Sequence, residues 1–84
     1  MTLATYLKTK RKEAGLNQTA LSELLNYQTS QFISNWERGV SVPPAKTIEP
    51  LSKALGVPRE ELANKVVDWI LVSHSLDVTE KYGV

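Results

Sequence analysis

QTALSELLNYQTSQFISNWERG, residues 18–39, holds two short helical patterns separated by a polar break. Asn17 is placed to cap the first, its side-chain oxygen taking one of the orphan N–H groups, with Leu16 and Leu21 spaced as a hydrophobic staple. Thr29 is placed to cap the second. That helix runs from Ser30 to Arg38 and stops at Gly39, because glycine tolerates the left-handed conformation in which helices commonly end. Turning about 100° per residue from Ile33, Trp36 and Glu37 fall within about 60°, whereas Gln31 and Asn35 lie near 160° and 200°. Ile33 and Trp36 make the buried stripe. The outward stripe is amide and hydroxyl: Gln31, Asn35 and, at the N-terminal end, Ser30.

The same punctuation organises the rest of the chain. Gly15 follows apolar residues at helical spacing over 3–14, and Gly56 follows a similar run over 45–55. Pro44 suits the first turn of that fourth helix, where its missing N–H would be unpaired anyway. Pro50 either kinks the fourth helix or marks a later start near Glu49. A fifth helix is expected from about Arg59 to about Leu76, opened by Pro58 and by Glu60 and Glu61, whose charges favour an N-terminal turn. No segment alternates with period two. The expected fold is therefore a compact all-α domain of five helices without linker, repeat or low-complexity tract. Leu7, Leu21, Ile33, Trp36, Leu51, Leu55 and Leu62 are its expected core.

Composition narrows the function class. Eighty-four residues leave room for one small domain and exclude most enzymes, since deep catalytic clefts need more chain. The absence of cysteine removes disulfides and thiolate metal sites and suits a reducing compartment. The N-terminus has no apolar signal-like stretch, and the greasiest run, residues 66–72, contains Asp68 and falls far short of the roughly 20 residues of a membrane span. A cytoplasmic location is the expectation. The net charge of +1 hides an asymmetry: residues 1–53 carry +3 and residues 54–84 carry −2. A helix that presents uncharged donors and acceptors outward from a basic half-chain suits reading of base edges in the major groove, where amides can pair bidentately with adenine N6 and N7.

KTKRKEAGLNQTAL at residues 8–21, FISNWERG at 32–39 and KALGV at 53–57 together resemble the Xre-type helix-turn-helix family, which includes the lambdoid phage repressors and Cro proteins. The resemblance covers roughly residues 3–62. It implies a lambda-repressor-like fold and sequence-specific binding of double-stranded DNA by a transcriptional regulator. It implies a helix-turn-helix core at residues 1–58, with residues 59–84 completing it. It places base reading on Ser30, Gln31 and Asn35. Gln18 would contact a phosphate and brace the recognition helix, and Arg11 would pair with Glu37, which the helical wheel independently turns inward. Thr29, Arg38, Lys46 and Lys10 are the remaining candidates for the DNA backbone. Two departures stand out: Asn26, Tyr27 and Gln28 make the turn about one residue longer than the family's single-glycine turn, and Pro50 interrupts the fourth helix. Asn26 can still supply the left-handed residue.

On the last helix Leu62, Val66, Trp69, Ser73 and Leu76 share one face, and Val67, Leu71, His74 and Val78 form a second apolar stripe near the opposite side. The first closes the core. The second is the expected homodimer interface on a palindromic operator, unless the tail after Ser73 folds back over it. His74 is the only histidine, and its neighbours Ser73, Ser75 and Asp77 cannot converge on it as a triad does, so neither catalysis nor a metal site is expected. No cofactor or small-molecule ligand is evident. The competing function is a protein-interaction module, an antitoxin-like accessory factor whose apolar C-terminal helix engages another protein.

Overall fold

The computed structural model describes residues 2–73. Five α-helices follow one another: α1 Leu3–Glu13, α2 Gln18–Leu24, α3 Gln31–Glu37, α4 Ile48–Leu55 and α5 Arg59–Ser73. Among the described residues there is no strand, and no helix is long and apolar enough to cross a membrane. The architecture is all-α, as the glycine punctuation predicts. His74 and Val78 lie outside the described residues.

The helix ends show how local chemistry sets the architecture. Thr2 caps α1 by accepting from Thr5 N at 3.2 Å, and Asn17 caps α2 by accepting from Ala20 N at 2.7 Å. The first four helices end alike. Each closes through a left-handed residue, and the N–H after it reaches back to the helix: Leu16 to Arg11 O, Tyr27 to Ser22 O, Val40 to Asn35 O and Val57 to Ser52 O. Glycine fills that position in three of them, and Asn26, with φ 62°, fills it after α2.

Two boundaries differ from the expected ones. Thr29 does not cap α3: Ser30 occupies the cap position without a side-chain cap bond, while Thr29 Oγ1 accepts from Gln31 N at 3.2 Å. The extra residue in the connection moves the helix start by one. The expected fourth helix from Ala45 divides into a 3-10 turn, Ala45–Thr47, followed by α4. Pro50 is the reason. It has no N–H to bond the Lys46 carbonyl, so an α ladder cannot pass through it. Beginning α4 at Ile48 puts Pro50 in the first turn, where no such bond is required. Thr47 holds the preceding turn by donating N–H and hydroxyl to the Pro44 carbonyl, at 2.9 and 2.6 Å.

One core joins the helices: Leu3, Tyr6, Leu7, Leu21, Ile33, Trp36, Ile48, Leu51, Leu55, Leu62 and Val66. It includes all seven residues expected there. The buried hydroxyls of Ser22 and Ser52 donate to Thr19 O and Glu49 O, so their burial strands no polar atom. α1 packs against α3, α4 and α5, and α2 against α3 and α4. On α5, Leu62 and Val66 face inward, and Val67, Ile70, Leu71 and Val72 are exposed.

Tyr6 ties α1 to α5, because its hydroxyl donates to the Glu61 carboxylate while the Lys10 and Lys65 ammonium groups sit 5.9 and 5.5 Å from its ring centre. Burial, aided by Glu61, pushes its pKa well above the ordinary phenol value of 10.0. The unfolded chain therefore releases this proton before the folded one does. Stability attributable to Tyr6 is complete below pH 10 and falls as pH rises beyond it. Urea titrations across that range should show the alkaline loss in the wild type and a smaller loss in Tyr6→Phe. Equal slopes would contradict this.

Candidate nucleic-acid interface

The turn and α3 form the surface from which side chains project outward. α3 is only seven residues long, too short to persist alone, so its position depends on what its inner side touches. Ile33 and Trp36 are 1% and 2% exposed. Tyr27, from the lengthened turn, stacks on Phe32 at 4.6 Å and meets Trp36 edge-on at 5.9 Å. Helical spacing does not reveal this aromatic brace. Its only sequence signal is an aromatic residue placed directly after the left-handed Asn26.

Glu37 supplies the second anchor. Its carboxylate accepts from Arg11 Nε at 2.6 Å and Nη2 at 2.9 Å, and from Gln18 Nε2 at 3.2 Å. Arg11 Nη1 donates to the Leu16 carbonyl at 2.8 Å. One carboxylate thereby joins α1, α2 and α3. The Arg11 and Glu37 side chains are 8% and 4% exposed. Hydrogen bonding to Glu37 raises the Arg11 pKa above its already high value, against the opposing effect of burial. Gln18 braces α3 through Glu37.

The outer side of α3 carries a second hydrogen-bonded group. Asn35 Oδ1 accepts from Gln31 Nε2 at 2.9 Å and from Arg38 Nη2 at 2.6 Å. Gln31 and Arg38 are exposed, and Asn35 is partly so. The sequence treats Arg38 as separate from the amides, whereas the structure places all three in one chain of bonds. Ser30 and Thr29 stand at the start of α3.

The other candidates lie apart from this group. Lys46 is exposed in the 3-10 turn after α3, and Lys10 pairs with Glu13 at 3.2 Å beside the Tyr6 ring. Among the described residues neither bonds to the Gln31–Asn35–Arg38 group. Val67 and Leu71 are about half exposed on α5, at 50% and 49%. Among the described residues no set of acidic or histidine side chains is grouped to hold a metal ion.

A family model described as helix-turn-helix matches residues 7–62, which spans α2, α3 and α4 with their connections, together with parts of α1 and α5. No curated protein and no solved structure gives a match.

Proposed function

The chain belongs to the Xre-type helix-turn-helix family of DNA-binding regulators, and from that membership we propose that it is a sequence-specific, homodimeric transcriptional regulator with α3 in the major groove of a palindromic operator. The observation that carries the reading is the division of α3 into two sides. Ile33, Trp36 and Glu37 lock one side to the fold, and Gln31, Asn35 and Arg38 project polar groups from the other. Ser30, Gln31 and Asn35 read base edges, while Gln18, Thr29, Arg38, Lys46 and Lys10 address the sugar-phosphate backbone. The protein works in the cytoplasm without a cofactor, and α5 completes the core and pairs the subunits.

The length of α3 and the exposed apolar side of α5 support pairing. One seven-residue recognition helix spans too few base pairs to specify an operator, and two copies on successive turns double the site. The exposed apolar side of α5, with Val67, Ile70 and Leu71, is the surface through which they would meet. The same surface favours a second reading, in which α5 engages a different protein and DNA binding is secondary.

Selection of bound duplexes from a random pool tests both. The expected result is enrichment of a two-fold symmetric sequence with half-sites about 10 base pairs apart. Gln31→Ala should then cost about 1–3 kcal/mol at one base pair and relax the preference there. Failure to enrich any sequence at low salt, together with a stable heteromeric partner, would replace the regulator reading with the interaction module. Sedimentation at micromolar concentration that shows a monomer binding one half-site would remove the dimer.

A further inference from the structure

We propose that Arg38 is a positioning residue that fixes the orientation of both amides on α3, so that Gln31 reads adenine and Asn35 reads guanine. The inference rests on the major-groove reading above and adds which base each amide takes. It begins from an asymmetry of hydrogen-bond chemistry. A guanidinium has five N–H donors and no acceptor, so the Asn35 atom 2.6 Å from Arg38 Nη2 must be the oxygen. The opposite amide orientation would press donor against donor. With Oδ1 fixed in place, the Gln31 atom 2.9 Å away must be the nitrogen. Polarity thus passes from Arg38 to Asn35 to Gln31.

The groups left over determine what each residue can recognise. Both acceptor positions of Asn35 Oδ1 are occupied, so Asn35 has only the N–H groups of Nδ2 to offer. Guanine presents two acceptors in the major groove, N7 and O6, while cytosine presents only a donor and adenine one of each. Bidentate pairing with adenine is therefore closed to Asn35. Gln31 has donated one N–H and keeps a second together with Oε1, one donor and one acceptor. That pair complements adenine N7 and N6. The sequence alone makes the two amides equivalent readers of adenine, and the bond from Arg38 is what separates them. The remaining N–H groups of Arg38 stay available to a phosphate.

Binding titrations of the intact protein against the selected operator and its single-base variants test this, using wild type, Gln31→Ala, Asn35→Ala, Arg38→Ala and the double variant of Asn35 and Arg38. Arg38→Ala frees Asn35 to turn its oxygen outward. It should lower the guanine-over-adenine ratio at the Asn35 base pair by about tenfold, within the range of a single bidentate contact, besides weakening all sites. In the Asn35→Ala background the further loss of Arg38 should leave that ratio unchanged. Three results would overturn the proposal: a selected operator without guanine at that pair, an Arg38→Ala effect equal at every base, or a ratio that still shifts in the Asn35→Ala background. If neither Gln31→Ala nor Asn35→Ala alters any base preference, the fault lies in the reading of α3 itself.

Discussion

Glu37→Ala is expected to destabilise the fold by about 3–5 kcal/mol, the cost of removing one partner from a buried ion pair. The carboxylate accepts three hydrogen bonds, and its loss leaves Arg11 with only the Leu16 carbonyl, inside a site where its side chain is 8% exposed. Arg11 does not escape by losing its proton, because a guanidinium stays charged in proteins even without its carboxylate partner. The result is a stranded charge. In a domain whose total stability is of order 5–15 kcal/mol, that is a large fraction. Urea denaturation of Glu37→Ala, Arg11→Met and the double variant separates pairing from burial. Each single change should cost more than 2 kcal/mol, and the double change less than the sum of the two. Additive losses below 1 kcal/mol each would show a solvated pair with no bracing role.

Salt should control DNA binding steeply. Each chain offers three cationic candidates for phosphates, Arg38, Lys46 and Lys10, so a symmetric pair offers about six. Counterion release then sets a slope of log affinity against log salt near −5, at about −0.9 per phosphate. Between 50 and 200 mM salt the affinity should fall by about a thousandfold. Lys46→Ala removes one contact per subunit and should flatten the slope by about 2. The loss should be equal for all sequences, which distinguishes Lys46 from Gln31. A flat dependence would refute the phosphate assignments, and a slope near −3 would indicate a single bound chain.

What was legible in the sequence was what a residue does to its own neighbourhood. Asn17 as a cap, Asn26 in the left-handed region and the terminating glycines all act within a turn of themselves. The inward direction of Glu37 followed from periodicity. Pro50 admitted two outcomes because its ring constrains only the preceding turn, and a helix starting at Ile48 satisfies it as well as a kink would. The bond from Tyr6 to Glu61 was not legible, since it joins residues 55 positions apart. Nor was the Tyr27 brace, which depends on where the longer turn sets the ring. The link between Asn35 and Arg38 is hidden for another reason. These residues are i and i+3 neighbours on a helix, but spacing alone does not say which donor the Asn35 oxygen takes.

The two-sided construction of α3 also bears on how such a protein diverges. The residues that hold it in place are 33, 36 and 37, and those that project from it are 31, 35 and 38. Exchange at the outward positions leaves the anchors untouched. On the proposed reading, this chain can therefore be retargeted to new DNA sequences by substitution at those positions while keeping the same scaffold. Retargeting is not modular, however. On the proposed readout, in which residue 38 orients residue 35 and residue 35 orients residue 31, one substitution at the end of the helix is expected to respecify two base pairs together. Productive changes in recognition are accordingly expected as linked sets at these three sites.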